Sequence, residues 1–318
     1  MLRLGETESL CPVCLKKIPA KRVVDNGDVY LEKHCPLHGD FRTIIWRDAR
    51  FYSSWDGCGM PGRAPAFLGS TEKGCPFDCG LCPEHEQDTC TVLMEVTDRC
   101  NIHCPVCFAG STSVDDTDPT LSEIDGLLDT IIASGGPYPI QISGGEPTVR
   151  DDLPEIIDRA KKRGFDHIQI NTNRIRFAQD IDFLKKAKDH GATELFLQFD
   201  GVDDSVYRTI RGVDLFEIKK KLIKNCNDVK IAVVLVPTII PGVNLNQLGK
   251  IIQFAKEMVS VVKGVHFQPV SYFGRFRDLD NNPEGPSDDE RATIPDLLGE
   301  IERQTGGEVR IKDFVPPT

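Results

Sequence analysis

From Thr91 to Val270 the chain alternates between two rhythms of apolar and polar positions. Short apolar runs (VLMEV, YPIQIS, HIQINTN, TELFLQFD, KIAVVLVPTI and VKGVHFQPV) read as strands. Between them lie SEIDGLLDTIIAS, DLPEIIDRAKKRG, DIDFLKKAKDHG, LFEIKKKLIKNC and NLNQLGKIIQFAKEM, whose apolar residues recur at helical spacing. Ser122, after Pro119-Thr120, is the expected N-cap of the first helix, and Gly164 and Gly191 stand just past helix ends. Six sequential β/α units predict an α/β fold: a parallel sheet with right-handed crossovers, curved into a partial (β/α)6 TIM-type barrel. Its reactive site then lies at the C-terminal ends of the strands.

The rest of the chain has a different texture. Residues 1–50 read as a cysteine-rich metal-binding extension in which VVDNGDVYLEK forms a hairpin turning at Asn26-Gly27. Residues 51–90 begin Gly- and Pro-rich, as a linker or wrapping loop, and end in a cysteine cluster. The barrel is expected over 91–276. Residues 277–318 form an acidic C-terminal segment, with eleven acids against four bases from Asp278 to Asp313.

At 318 residues the chain suffices for one large α/β domain and a small one. A net charge of −11 argues against an extended nucleic-acid surface, which needs clustered Lys and Arg. No apolar run approaches a membrane span, and the N-terminus lacks the apolar stretch of a signal peptide, so a cytoplasmic protein is expected. Twelve cysteines then point to metals rather than disulfides, and eleven of them precede Phe108. Cys226 reads as a structural thiol in a helix.

Three groups of cysteines carry the chemistry. Cys11-Pro-Val-Cys14 and Cys35-Pro-Leu-His38 are two knuckles flanking the hairpin, able to place four ligands around one Zn or one mononuclear Fe. The fourth ligand is His38, whose spacing mirrors the first knuckle, or Cys58. Such a centre is structural or, as iron, an electron relay. Cys75, Cys79 and Cys82 form a C-x3-C-x2-C triplet with Cys90, or His85, as a fourth ligand; this is an auxiliary [4Fe-4S] cluster or a zinc knuckle. Cys100, Cys104 and Cys107 repeat the triplet directly after a strand, where three thiolates can hold three corners of a cubic cluster and leave one iron open.

Followed by IQISGGEPTV, with Gly144-Gly145-Glu146-Pro147 ending the next strand, this last triplet resembles the radical S-adenosylmethionine (SAM) superfamily. The resemblance implies that SAM chelates the open iron of a [4Fe-4S] cluster on Cys100, Cys104 and Cys107, and that the GGE segment receives its amino group. It also implies an external electron donor such as a ferredoxin or flavodoxin. Strand ends then supply the pocket: Ser143, Gly144, Gly145 and Glu146; Asn171, Thr172 and Asn173; Gln198 and Asp200; Pro237 and Thr238, with Gly242 beyond; Phe267, Gln268 and Pro269. Asn173 and Gln198 are the foremost polar contacts to SAM, the glycines permit close backbone approach, and Asp200-Gly201 reads as a turn. Arg208 and Arg211 either reach SAM's carboxylate or are solvated helix charges. Val106 stands where the superfamily usually has an aromatic residue, which weakens adenine contact there.

The order CPVC, KHCPLHGDF, GCPFDCGLCPEHEQDTC, VTDRCNIHCPVCFA further resembles the archaeal tetraether lipid synthase family, also labelled pterin-type radical SAM methyltransferases. The resemblance runs from Leu10 to about Phe276. It implies hydrogen abstraction from a lipid chain, carbon–carbon coupling by way of the auxiliary cluster, an apolar tunnel and peripheral membrane contact. The alternative under the same label, methylation of a pterin-like small molecule, implies a compact polar pocket. An electron carrier without catalysis would leave the GGE segment without a purpose. That family continues into a further cysteine-bearing region, so this chain is expected to be a truncated sequence or a shorter homologue lacking one cluster.

Overall fold

Alternating fully buried apolar residues and mostly half-buried, largely polar ones make the central strands two-faced, and the sheet they build organises most of the molecule. The computed structural model describes residues 2–55, 72, 77, 89–111, 117–173, 175–276 and 286–316. They fall into two units: Thr89–Pro286, and Met1–Asp88 together with Ser287–Thr318.

The smaller unit opens with an antiparallel sheet of β1 (Leu2–Leu10), β2 (Lys17–Asp25), β3 (Asp28–Cys35) and β4 (Gly39–Trp46), in that order. The expected hairpin is β2–β3. Asn26 and Gly27 both have positive φ (52° and 89°), the pairing that matches a tight hairpin to the strands' twist. The flanking strands β1 and β4 were not expected. The stretch read as pure loop after residue 50 is partly helical: α1 (Ala49–Trp55) brings Phe51, Tyr52 and Trp55 to within 5.5–5.7 Å of Trp46, centroid to centroid. The C-terminal segment, anticipated only as acidic, holds α9 (Ile294–Gln304). Its capping residues meet the end of β4, where Arg47 Nε pairs with Asp296 at 3.0 Å and the Arg47 N–H donates to Thr293 Oγ1 at 3.3 Å.

The larger unit is the expected α/β barrel segment. β5 (Val92–Glu95), α2 (Leu121–Ala133), β6 (Ile140–Ser143), α3 (Leu153–Lys162) and β7 (Ile168–Thr172) come first. α4 (Ile175–Gln179), α5 (Ile181–Asp189), β8 (Glu194–Gln198), α6 (Asp204–Arg211), α7 (Phe216–Val229), β9 (Ala232–Val236), α8 (Leu248–Glu257) and β11 (Val262–Val265) follow. Six parallel strands stand in the order β11-β9-β8-β7-β6-β5. Pro237 lacks an N–H and interrupts the ladder, which resumes as β10 (Thr238–Ile239) beside β12 (Gln268–Pro269).

One face of this sheet carries the core. Ile140, Ile142, Ile168, Ile170, Leu195, Leu197, Val233 and Leu235 are fully buried against helix residues such as Leu128, Ile156, Leu184 and Leu222. Each contributes about 1.5–3 kcal/mol of burial. The opposite face carries Gln141, Ser143, Gln169, Asn171, Glu194, Phe196 and Gln198. The cap of α2 is Thr120 rather than Ser122: its Oγ1 accepts from the Glu123 N–H at 3.2 Å, and Glu123 returns the bond to the Thr120 N–H at 2.7 Å. Gly164 and Gly191, at φ +91° and +125°, do follow the ends of α3 and α5. The short helix α4, and α6 as a bounded element, were not expected. α6 is capped by Asp203, which accepts from the Ser205 N–H at 3.0 Å, and ends at left-handed Gly212.

Candidate cluster site and metal centre

The loop after β5 runs from Val96 to Ser111 and carries Cys100, Cys104 and Cys107 at the strand's C-terminal end. It is held against the end of β6 by backbone contact alone. The Gly145 N–H donates to Thr97 O at 2.8 Å, and the Glu146 N–H to Arg99 O at 2.9 Å. A Cβ on Gly144 would lie 2.1 Å from Thr97 O, and one on Gly145 would lie 2.3 Å from Arg99 O. The absence of a Cβ at these two positions therefore lets two chain segments touch.

Glu146 is bonded from within the protein. Its side chain is completely buried, and Oε1 accepts from Thr148 N (3.1 Å), Thr148 Oγ1 (2.6 Å) and Thr172 Oγ1 (2.7 Å). Oε2 accepts from Asn173 N. Burial pushes the Glu146 carboxyl pKa up, and these donors oppose the rise. With four donors on it, the carboxylate braces the ends of β6 and β7.

The other strand-end residues divide in the same way. Asn173 Nδ2 lies 3.8 Å from Cys100 Sγ and 2.6 Å from Asn101 Oδ1, so it addresses the cysteine loop. Gln198 turns its side-chain oxygen onto the Arg211 guanidinium at 2.5–2.8 Å. Asp200 is no simple turn residue, and Arg211 is no solvated charge: both are buried and joined by two bonds of 2.8 Å. Arg208, by contrast, is an exposed partner of Asp214. Phe267 packs on the edge of the core and Gln268 pairs with Thr238 in β10–β12. Val106 packs with Ile210 and Ile240 instead of facing a ligand. Asn171 Nδ2 donates to Ser143 Oγ at 3.2 Å while its Oδ1 is buried with no partner, so these two residues keep bonding capacity at the mouth.

Three arginines that sequence reasoning left without a role fasten the loop. Arg99 forks onto Asp118, and Arg150 Nη1 donates to Val96 O and Pro119 O, both at 2.8 Å. Arg275 donates to Cys104 O (2.7 Å) and Ser111 O (3.0 Å), and its backbone bridges Cys107. Only their pairing with distant carbonyls or, for Arg99, a distant carboxylate identifies them, and that is invisible in sequence. The loop fits an iron–sulfur cluster by its donor chemistry: three thiols on one fastened loop, with the Asn173 side-chain N–H already aimed at Cys100. Burial pushes the Cys100 thiol up to about 11, so its thiolate form needs a metal partner.

The second site is in the smaller unit. Cys11, Cys14, Cys35 and His38 bring their ligand atoms to within 4.8 Å of one another. His38 Nδ1 is 3.5 Å from Cys11 Sγ and 3.4 Å from Cys35 Sγ, and the Cys14 and Cys35 sulfurs are 3.9 Å apart. Burial acts to raise the Cys11 thiol, but the N–H groups of Cys14 and Val13 outweigh it and bring it down to about 6. Cys11 is thus a thiolate ready for metal at neutral pH. Cys58, the other possible fourth ligand, lies outside the described residues, as do His85 and Cys75, Cys79 and Cys82 of the first triplet; Cys90 is described and exposed.

Comparison with known proteins follows this division. Residues 94–255, half of the chain, match the family model of the radical SAM superfamily, and residues 3–47 match the HMPTM N-terminal zinc ribbon domain. A 7,8-dihydro-6-hydroxymethylpterin dimethyltransferase of Methanocaldococcus jannaschii is 43% identical over 314 residues, covering 98% of this chain and 61% of the relative. A probable GTP 3′,8-cyclase of Methanothermobacter thermautotrophicus is 28% identical over 180 residues, 56% of this chain and 58% of its own. The chain thus spans about three-fifths of the length of these relatives. Among solved structures, methylornithine synthase aligns over 69% of this chain and 62% of its own at a TM-score of 0.51 and 18% identity. The hydrogenase maturase HydG aligns over 68% and 50% at 0.52 and 13%. At these identities the likeness concerns the fold. Among the described residues no helix is long and apolar enough to cross a membrane.

Proposed function

The chain belongs to the radical SAM superfamily, and we propose that as a radical SAM enzyme it methylates a pterin-like small heteroaromatic. The observation that carries this reading is the polar inner face of the sheet. Gln141, Gln169 and Glu194 form a hydrogen-bonded row, and Asn171 and Ser143 form a second above it. An alkyl chain lying against Asn171 and Ser143 would leave their remaining bonding capacity unmet, at about 1–3 kcal/mol for each group. A ring bearing amino, carbonyl and ring-nitrogen groups would satisfy them. Similarity to the pterin dimethyltransferase across both the ribbon and the barrel supports the same choice. Coupling of lipid chains, expected from the tetraether synthase resemblance, gives way to it, and with it the reason for membrane contact.

In this reading Cys100, Cys104 and Cys107 hold the cluster, and the chemistry it supplies when bound is one-electron reduction of the SAM sulfonium to methionine and a 5′-deoxyadenosyl radical. The protein's own part is geometric. Gly144 and Gly145 set the cysteine loop against β6, Glu146 fixes the ends of β6 and β7, and Asn173 orients Cys100. Ser143 and Asn171 keep bonding capacity for SAM or substrate. Cys75, Cys79, Cys82 and Cys90 are assigned to an auxiliary cluster, and a ferredoxin- or flavodoxin-like donor is assigned to electron supply. Cys11, Cys14, Cys35 and His38 hold a structural Zn.

The test uses anaerobically reconstituted protein with methyl-deuterated SAM and a reductant, offered a reduced pterin or an archaeal diether lipid. Deuterium appearing in the pterin supports the reading. Turnover stimulated by the lipid alone restores the coupling reading.

A further inference from the structure

The inner face of the large sheet carries a run of side-chain amides that all point the same way. Strand register sets Gln141, Gln169 and Glu194 side by side in one row, and Asn171 beside Phe196 in the next. Gln169 Nε2 donates to Glu194 Oε1, and Gln141 Nε2 donates to Gln169 Oε1. Asn171 Nδ2 reaches Gln141 Oε1 at 3.5 Å and donates to Ser143 Oγ at 3.2 Å. Gln169 is buried, and Gln141, Asn171 and Glu194 are half-buried.

An amide has a donor side and an acceptor side of nearly equal size, so alone it can sit either way round. The carboxylate at one end of the run removes that freedom, because it only accepts. Glu194 draws the Gln169 nitrogen to itself, which turns the Gln169 oxygen toward Gln141, and the same step repeats at Asn171. His167 Nε2, 3.8 Å from the same Glu194 oxygen, is beyond hydrogen-bond reach and does not compete. At the far end Asn171 has its nitrogen engaged and its oxygen unmet: Oδ1 is buried with no partner among the described residues. A buried acceptor without a donor is a cost to the fold that a bound N–H removes. Phe196, paired with Asn171 across the two strands, is half-buried and packs edge-on against His266 with ring centroids 5.4 Å apart. An aromatic surface therefore stands next to the acceptor, suited to a flat ring.

We propose that Asn171 determines substrate specificity by accepting from an exocyclic amino group of the ring, and that Glu194 is a positioning residue that keeps the Asn171 oxygen turned to it through Gln169 and Gln141. The proposal rests on the pterin-like reading of the substrate and adds to it the polarity of the group recognised. A keto oxygen in place of the amino group would meet Oδ1 acceptor to acceptor and leave both unpaired.

The test is equilibrium binding to the anaerobically reconstituted full chain with SAM and no reductant, so that the ring binds without being converted. The probes are a dihydropterin and the matching dihydrolumazine, which has a keto oxygen where the pterin has its amino group. Wild type should bind the pterin about ten- to hundredfold more tightly than the lumazine. Glu194→Gln keeps the shape but can donate, so the run of amides can reverse; pterin binding should weaken, lumazine binding should tighten, and the ratio should fall below about threefold. Asn171→Leu, of similar size, should lose the preference. A merely structural part for either residue would weaken both rings alike and leave the ratio at its wild-type value. Equal binding of the two rings by wild type overturns the proposal, as does an unchanged ratio in Glu194→Gln. Should Asn171→Leu fail to fold, Glu194→Gln decides alone. Failure of wild type to bind either ring would refute the pterin-like reading itself, and the proposal with it.

Discussion

Replacing Glu146 separates a structural brace from a ligand-binding carboxylate. In Glu146→Ala the N–H groups of Thr148 and Asn173 lose their acceptor inside the protein, while the hydroxyls of Thr148 and Thr172 can turn elsewhere. Two orphaned backbone donors at about 1–3 kcal/mol each amount to about 2–6 kcal/mol. Glu146→Gln keeps one oxygen for three of the donors but turns an amide N–H toward Asn173 N–H, costing about 1–3 kcal/mol. Hydrogen exchange of peptides spanning 140–150 and 168–176 reads the effect locally. At tenfold for each 1.4 kcal/mol, protection in Glu146→Ala should fall at least about thirtyfold, up to the limit set by global unfolding. The glutamine variant should fall between wild type and alanine. Unchanged protection in both variants, accompanied by weakened SAM binding in Glu146→Gln, would refute the brace and return the carboxylate to the SAM amino group.

Other consequences are as direct. Gly145→Ala drives a Cβ to 2.3 Å from Arg99 O and 2.6 Å from Asp98 O, so the cysteine loop must shift; iron per chain after anaerobic desalting should drop while the ribbon keeps its metal. His38→Ala or Cys35→Ser should lower zinc by one equivalent in elemental analysis, and a chelator should lower protection across β2 and β3. Thr120→Ala removes the side-chain half of the α2 capping box, leaving the Thr120 N–H on Glu123, and should cost about 1 kcal/mol, seen as faster exchange in the first turn of α2.

What the sequence disclosed follows from which interactions are local. The six strands, the hairpin at Asn26-Gly27 and the glycines after α3 and α5 are written in periodicity and turn chemistry, and all are present. Strands β1 and β4 escaped because β1 is mostly exposed, with little apolar alternation to mark it. Helix α6 escaped because it is short and polar, although Asp203 before it and Gly212 after it are sufficient signals. At the site, residue positions were legible but their partners were not. Glu146, Gln198 and Asp200 stand at the expected strand ends and Arg211 at the end of α6, yet their partners lie from 2 to 105 positions away. Long-range polar pairing leaves no periodic trace, so the scaffold contacts these side chains make could not be read from the sequence.

The measurement that tests the central claim most directly is 5′-deoxyadenosine formation by reconstituted wild type and by the Cys100/Cys104/Cys107→Ala variant, with iron and zinc quantified in both. The account predicts product from wild type, none from the variant, less iron in the variant and the same zinc. Equal iron and continued formation of 5′-deoxyadenosine in the variant would contradict it and move the SAM-cleaving cluster to Cys75, Cys79 and Cys82.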